Sequence, residues 1–166
     1  MIRCISPIDG SVCAVRPVLS AQDAEAAVAS ARTAQSAWAA QPLVERIALV
    51  QAAVANVGAM NEEIVPELAQ QMGRPIKYGG EFGGFNERAS YMADIATDAL
   101  ADIVVEDSDA FRRVIKRVPH GLVLVVAPWN YPYMTAINTV APALIAGNAV
   151  MLKHASQTPL VGERMA

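Results

Sequence analysis

Apolar residues recur every three or four positions between Ala24 and Leu100, which is the spacing of one face of an α-helix. The first helix is predicted to begin after Ser20, a typical N-cap that is followed three residues later by Asp23, and to stop at Pro42. The first two apolar stripes consist of Ala24, Ala27, Val28, Ala31 and Trp38, and of Ile47, Val50, Val54 and Val57.

Glycines are predicted to end the next two helices. The second helix should end at Gly58, and a third should run from near Asn61 to Gly73. Pro66 lies inside the third helix, where it should kink the helix or cost stability. A longer fourth helix is predicted from a stripe formed by Phe85, Ala89, Met92, Ala96 and Leu100.

The glycine-rich stretch 79–84 precedes this fourth helix. It lacks the G-x-G-x-x-G spacing of a phosphate-binding loop, and no predicted strand comes before it. We therefore predict that this stretch is a flexible lead-in to the helix.

Two pairs of short β-prone runs predict hairpins. Ile2–Ile5 and Val12–Val15 flank the turn signal Pro7-Ile8-Asp9-Gly10. Ile103–Glu106 and Phe111–Val118 are predicted strands joined by a short acidic loop.

The last part of the chain changes to a strand–helix–strand pattern. Leu122–Val126 is a continuous apolar run, typical of a strand that is buried on both faces. A helix is predicted to begin near Pro132 and to end before Gly147, and Ala149–Leu152 is a second buried strand. These elements predict a βαβ unit with parallel strands.

Composition narrows the functional classes. The chain has 166 residues, of which 54% are hydrophobic and 17% charged, so a folded core is expected. The net charge of −3 disfavours general nucleic-acid binding, and no apolar run approaches the ~20 residues of a membrane span. The basic cluster Arg112–Arg117 is interpreted as a solvated strand or an edge strand.

The cellular location is predicted from two features. No signal peptide is recognisable, and Cys4 and Cys13 are expected to be reduced thiols, so a cytoplasmic location is predicted.

Candidate chemistry follows each of the two parallel strands. Pro128-Trp129-Asn130 comes after the first strand, and Lys153 ends the second, so both groups should lie at the edge where open α/β sheets bind ligands. Asn130 offers a neutral NH2 donor that suits an oxyanion, and Lys153 offers a cation that suits a ribose or a phosphate. The plainer alternatives are a turn asparagine and a solvated lysine; His120 and His154 are interpreted as surface or loop residues.

The same residues carry a family resemblance. The chain closely resembles the aldehyde dehydrogenase superfamily over nearly its whole length, and the P-W-N-Y-P motif is highly specific. The matching segments are Ser6–Gly10, Ala34–Trp38, Glu45-Arg46, Gly73–Pro75, Pro119–Gly121, Val125–Pro132, Pro142–Leu144, Gly147-Asn148, Lys153 and Gln157–Pro159.

The resemblance implies a fold, an activity and site residues. The fold would be α/β: the N-terminal part of a Rossmann-type cofactor domain with a helical N-terminal region and a β-hairpin oligomerisation arm. In this family a cysteine thiolate attacks an aldehyde, hydride passes to NAD or NADP, and a glutamate-activated water releases the acid. Asn130 would donate to the oxyanion. The implied cofactor-binding residues are Val126, Ala127, Pro128, Trp129, Lys153, Ala155 and Ser156, and Tyr131 and Met134 would line the aldehyde tunnel.

The resemblance also implies a division of the chain and an assembly. Residues 1–101 would be the first part of the cofactor domain, 102–119 a hairpin that bridges subunits, and 120–166 the first βαβ unit. A homodimer or homotetramer is expected in the full-length form, with an aldehyde as substrate and no metal, nucleic acid or membrane partner.

Three family features are absent from the chain: the glycine-rich cofactor loop, the catalytic glutamate and the catalytic cysteine lie beyond Lys153 in the family. We therefore interpret the chain as an N-terminal piece and expect residues 1–166 alone to be inactive. The alternative is a non-catalytic remnant that acts as a binding or oligomerisation module.

Ser156 bears on the choice of cofactor. NAD-preferring relatives often carry a glutamate at the matching position, and this carboxylate would repel the extra phosphate of NADP. Ser156 with Lys153 resembles the pair of NADP-using members, so use of NADP at least as well as NAD is predicted. The alternative is that Ser156 is only a helix N-cap.

Overall fold

The computed structural model describes the whole chain, Met1 to Ala166, as six strands and seven α-helices. In chain order the elements are β1 (Ile2–Ile5), β2 (Val12–Arg16), α1 (Ala21–Ala39), α2 (Leu43–Ala59), α3 (Asn61–Met72), a 3-10 turn (Ile76–Tyr78), α4 (Phe82–Asp94), α5 (Ala96–Ala99), β3 (Ile103–Asp107), β4 (Arg112–Ile115), β5 (Leu122–Val126), α6 (Pro132–Ile145), β6 (Ala149–Lys153) and α7 (Leu160–Met165).

Three helices enclose the main hydrophobic core. Helices α2, α4 and α6 pack on one another, and α3 and α7 add further side chains to the same cluster. The central members are Val50, Val54, Val57, Ile64, Leu68, Phe85, Ala89, Tyr133, Ile137, Ala141, Ile145 and Val161. The predicted helical stripes therefore supply this core, since most stripe residues from Val50 onward are buried in it.

The predicted βαβ unit is confirmed, with parallel strands on either side of α6. Strands β5 and β6 pair from Leu122 opposite Ala149 to Val126 opposite Lys153. Pro132 occupies the first turn of α6, and Gly147 follows that helix with a φ of 89°, as a left-handed C′ residue should.

Burial of β5 on both faces is not observed. Val125 is buried, but Leu124 and Val126 are 64% and 65% exposed. The two parallel strands pair only with each other, so nothing in the chain covers the side chains of that face.

Several predicted helix ends are confirmed. Ser20 caps α1 in a full capping box, because its hydroxyl accepts the backbone N–H of Asp23 and its own N–H donates to the Asp23 carboxylate. Gly73 ends α3 with a φ of 77°. Helix α3 runs without interruption through Pro66.

Three predictions about helix boundaries were wrong. Helix α2 continues through Gly58 to Ala59, and the glycine instead admits the ring of Phe82, which would lie 2.3 Å from a Cβ at that position. The predicted fourth helix is divided at Ile95 into α4 and α5. Its start is earlier than predicted, at Phe82, so the last glycines of stretch 79–84 belong to the first turn of α4 rather than to a flexible lead-in.

Both predicted hairpins are present. Strands β1 and β2 pair antiparallel with an irregularity beside Cys4, and β3 pairs with β4 through Ile103 opposite Ile115. Strand β4 ends at Ile115, earlier than predicted. Ile115 pairs with Ile103, the first residue of β3, and β4 has no other partner strand beyond that point. The basic cluster is solvated as expected, and Arg112 and Arg113 form exposed ion pairs with Asp107 and Glu106.

The carboxyl end of α6 is held by side chains from the first two helices. The Trp38 indole donates to the carbonyl of Leu144 at 2.8 Å, and Arg46 Nε donates to the carbonyl of Ile145 at 2.9 Å. These bonds satisfy carbonyls that a helix end leaves free, and they dock the helical region onto the βαβ unit.

No single helix has the length and apolarity to cross a membrane. Only α2 and α3 taken together meet that test, as a pair bent by 68°. Both helices contribute buried residues to the core.

Candidate cofactor and oxyanion site

The ends of the two parallel strands lie side by side, as the sequence predicts. Val126 pairs with Lys153, and the N–H of Ala127 donates to the carbonyl of Lys153 at 3.0 Å. The loop that follows β5 therefore begins directly beside the end of β6. Ala127 is buried there, whereas Trp129 is 53% exposed. This edge is where ligands bind in open α/β sheets.

Asn130 presents a free amide donor. Its side-chain Oδ1 accepts the backbone N–H of Tyr131 at 3.0 Å, whereas its NH2 group has no hydrogen-bond partner in the chain. The residue is exposed and lies two positions before the first residue of α6. The orientation of the amide is set locally, so the free NH2 can donate to an oxygen that develops negative charge.

A buried ion pair fixes the backbone around Asn130. Arg74 Nη2 donates to the carbonyl of Asn130 at 2.6 Å, and Arg74 Nη1 lies 2.7 Å from Glu81 Oε1. The other carboxylate oxygen of Glu81 accepts the backbone N–H of Met134, in the first turn of α6, at 2.8 Å. The side chains of Arg74 and Glu81 are only 11% and 2% exposed.

Sequence reasoning missed this pair. From the sequence, Arg74 is identified only as part of the Gly73-Arg74-Pro75 match, and Glu81 falls in stretch 79–84, which is predicted to be a flexible lead-in. An available signal was the single carboxylate among four glycines, because a negative charge there needs a partner or a helix N-terminus.

The two predicted tunnel residues share a depression with the ion pair. Tyr131 and Met134 line it together with Arg74, Glu81 and Gly84. The Arg74 guanidinium carbon lies 4.8 Å from the centre of the Tyr131 ring, a cation–π contact that orients the ring. Their role toward an aldehyde stays a prediction.

Lys153, Ala155 and Ser156 lie at the end of β6 and in the turn that follows. The N–H of Thr158 donates to the carbonyl of Ala155 at 3.1 Å and closes this turn. Lys153 and Ser156 are exposed, and neither side chain has a partner in the chain. Ser156 does not cap a helix, because α7 starts only at Leu160 with Pro159 as its N-cap. An ammonium and a hydroxyl are therefore both free for a ribose or a phosphate.

Neutral hydrogen bonds hold this second turn. The Cys4 thiol donates to the carbonyl of Gln157 at 3.0 Å, and Gln157 Nε2 donates to the carbonyl of Gln71. Gln71, which is 1% exposed, accepts the N–H of Leu160 at 3.1 Å. The N-terminal hairpin and the end of α3 thus support the residues next to Ser156, a set that sequence reasoning also missed.

The two cysteines are free thiols, as predicted. Burial raises the pKa of Cys4 to about 12, with the neighbouring Cys13 adding to the shift, so Cys4 remains protonated near neutral pH. A protonated buried thiol is a poor nucleophile. Cys4 therefore lacks the properties of a catalytic cysteine.

The geometry defines a class of protein: an α/β protein that presents an amide donor and a free cation at the carboxyl ends of adjacent parallel strands. The family model described as the aldehyde dehydrogenase family matches residues 1–166. The chain belongs to this family, as its motif residues indicate.

Characterised relatives are similar to the chain over most of its length. Vanillin dehydrogenase of Corynebacterium glutamicum is 35% identical over 159 residues, and benzaldehyde dehydrogenase [NAD(+)] of Pseudomonas putida is 34% identical over the same length. Each match covers 95% of this chain and 33% of the relative, so the chain spans about a third of their length.

Solved structures share the fold. The NADP-dependent glyceraldehyde-3-phosphate dehydrogenase of Bacillus halodurans C-125, solved in complex with NADP, superposes with a TM-score of 0.90 at 30% identity. That match covers 99% of this chain and 36% of the other. The N-terminal portion of the aldehyde dehydrogenase fold predicted from the sequence is thereby confirmed.

Proposed function

We propose that this chain is the N-terminal portion of an NAD(P)-dependent aldehyde dehydrogenase that oxidises an aldehyde to a carboxylic acid, and that Asn130 donates to the oxyanion of that reaction. The observation that carries the proposal is the Asn130 amide. Its oxygen is engaged by Tyr131 N–H, and its NH2 is exposed and unpartnered beside the N-terminus of α6.

Each residue of the site has a separate task. The Asn130 NH2 would hold the substrate oxygen as it becomes negative, a task that requires fixed geometry. The buried pair of Arg74 and Glu81 supports that geometry because it holds the Asn130 carbonyl and the first turn of α6 at once. Tyr131 and Met134 would guide the aldehyde.

The cofactor would be held by the strand ends. NAD or NADP, when bound, accepts a hydride from the substrate. Backbone at Val126, Ala127, Pro128 and Trp129 would line the nicotinamide end, while Lys153, Ala155 and Ser156 would hold the adenosine ribose. The free hydroxyl of Ser156 and the free ammonium of Lys153 support use of NADP at least as well as NAD. Relatives of both kinds are known, since the Pseudomonas putida protein is named for NAD and the Bacillus halodurans structure contains NADP.

The hairpin β3–β4 is proposed as the arm that joins subunits in a homodimer or homotetramer. Its strands pair with each other and with no other strand. They expose Ile103, Val104, Val105, Phe111 and Ile115, each at least 46% accessible. Exposed apolar side chains on a projecting hairpin are typical of a surface that another subunit covers.

The catalytic cysteine and glutamate are proposed to lie outside residues 1–166, so these residues alone should not oxidise aldehydes. We also propose a cytoplasmic location, where both thiols would stay reduced, and an aldehyde rather than a nucleic acid or membrane as the partner.

The decisive experiment uses a full-length protein that carries this segment. We expect Asn130→Ala to lower kcat by about 10²–10³-fold, the usual cost of one oxyanion donor, while the Kd for the cofactor changes little. Asn86→Ala is the matched control, because Asn86 is an exposed asparagine on α4.

Turnover of Asn130→Ala close to that of the wild type would refute the oxyanion role. Absence of aldehyde-dependent NAD(P)H formation by the wild-type full-length protein would favour the alternative, a non-catalytic binding or oligomerisation module.

A further inference from the structure

The two cysteines meet at the irregular position of the N-terminal hairpin. Cys4 pairs with Ala14 and Ile5 pairs with Val12, so Cys13 is the extra residue of a β-bulge. In a regular strand Cys13 would point away from the face that Ala14 occupies. The bulge turns it toward that face, and the Cys13 thiol lies 3.2 Å from the Cys4 sulfur.

The environment of the two thiols is unequal. Cys4 is 1% exposed, whereas Cys13 is only partly buried. A small oxidant therefore reaches Cys13 first, with Cys4 directly behind it. Because the raised pKa of Cys4 keeps that thiol protonated, Cys13 is also the better candidate for first attack.

We propose that Cys4 and Cys13 form a reversible intrachain disulfide when the protein meets a hydroperoxide, and that this modification releases the turn that carries Ser156. The sulfur atoms need to approach from 3.2 Å to bonding distance, a movement that side-chain rotation on a two-stranded hairpin can supply.

The reaction balances with the peroxide as the oxidant. The Cys13 thiol gives up its proton and attacks one peroxide oxygen, the O–O bond breaks, and Cys13 sulfenic acid forms while the departing oxygen takes up that proton and leaves as water or alcohol. The Cys4 sulfur then displaces the hydroxyl group, the S–S bond forms, and the proton of Cys4 leaves with that hydroxyl as water. Two electrons pass from the sulfur pair to the O–O bond.

Loss of the Cys4 hydrogen has a structural consequence. In the reduced protein that hydrogen is donated to the carbonyl of Gln157, one residue after Ser156. A disulfide sulfur has no hydrogen to donate, so the carbonyl loses a buried partner. The turn closed by Thr158 N–H and Ala155 carbonyl then depends on the two Gln71 bonds and on the longer bond from Gln157 Nε2 to the Ile5 carbonyl.

The test applies hydrogen peroxide to the full-length protein and measures the masses of the peptides that carry Cys4 and Cys13, the alkylation of these two thiols after unfolding, and hydrogen exchange of the segment 155–160. Of the thiols within residues 1–166, we expect the number open to alkylation to fall from two to zero, and the two peptides to be linked with a combined mass lower by two hydrogen atoms. Dithiothreitol should reverse both changes. Exchange of the segment should become several-fold faster in the oxidised form.

Cys13→Ser is the matched variant, because it retains a small donor at a partly exposed position. Peroxide should leave exchange of the segment 155–160 unchanged in this variant. Oxidation of Cys13 to sulfinic acid with Cys4 still open to alkylation, or disulfides only between chains, would overturn the proposal. A Cys4–Cys13 disulfide without faster exchange would overturn the link to the Ser156 turn.

Discussion

The turns that follow β5 and β6 are held by different chemistry, although both lie at the same edge of one two-stranded sheet. The Asn130 turn is held by a buried ion pair, Arg74 with Glu81, which contacts the carbonyl of Asn130 and the N–H of Met134. The Ser156 turn is held by neutral hydrogen bonds: the Cys4 thiol donates to the carbonyl of Gln157, and the Gln71 side chain accepts the N–H of Leu160.

The difference matches the proposed tasks of the two turns. An oxyanion donor must keep its position to within a fraction of an ångström, and a buried charge pair resists displacement because separation leaves an uncompensated charge. A ribose site needs only donors within reach, so neutral bonds suffice there. They also leave that turn open to adjustment, including the proposed oxidation of Cys4.

The sharpest test of the comparison removes the charge that anchors the Asn130 turn. Glu81→Ala should lower the free energy of unfolding by about 3–5 kcal/mol, because Arg74 then stays buried without a charged partner. Chemical denaturation measures this change.

Glu87→Ala provides the control, since Glu87 is exposed on α4, the helix that Glu81 directly precedes, and should cost less than about 0.5 kcal/mol. Equal losses in the two variants would mean that the buried pair contributes no more than a surface carboxylate.

A second prediction concerns Arg74 as a positioning residue. In the full-length protein Arg74→Lys should keep the charge but lose one of the two simultaneous contacts, to Glu81 or to the Asn130 carbonyl. We expect kcat to fall by about 10²-fold through displacement of Asn130, with a smaller change in KM. A rise in KM at constant kcat would instead assign Arg74 to substrate binding.

The neutral anchor should be weaker. Gln71→Leu keeps the approximate volume but leaves the N–H of Leu160 without its acceptor, which should cost about 1–3 kcal/mol of unfolding free energy. A smaller loss of unfolding free energy in Gln71→Leu than in Glu81→Ala would support the conclusion that neutral bonds hold the Ser156 turn less strongly than the ion pair holds the Asn130 turn. A loss as large as that of Glu81→Ala would contradict it.

The smallest predicted effect concerns the cofactor. Ser156→Glu places a carboxylate in the exposed turn, where it should repel the extra phosphate of NADP. We expect the ratio of kcat/KM for NADP to that for NAD to fall about tenfold in the full-length protein. Ser30→Glu, at an exposed position on α1, is the control. A strong NAD preference in the wild type that Ser156→Glu leaves unchanged would refute the proposed role of Ser156.

Most of the local structure was predictable from the sequence. The bounds of β1 and β5, the capping box at Ser20 and the C′ glycines at positions 73 and 147 all follow from residue types over a few neighbouring positions. The parallel pairing of β5 with β6 follows equally, because a strand–helix–strand segment of this length permits little else.

The errors came from residues whose role depends on a distant partner. Gly58 ends no helix because it serves the packing of Phe82, and Glu81 is no part of a flexible segment because it pairs with Arg74 and the N-terminus of α6. A single-sequence pattern does not contain these contacts.

The sequence by itself therefore determined the helices and strands, the family and the candidate residues Asn130, Lys153 and Ser156. Only the tertiary structure decided what holds them. The Asn130 carbonyl bonds a residue 56 positions away, and the carbonyl next to Ser156 bonds a thiol 153 positions away. Periodicity and capping act within a few residues of the chain, whereas hydrogen bonds and charge pairs depend on distance in space, which folding alone sets.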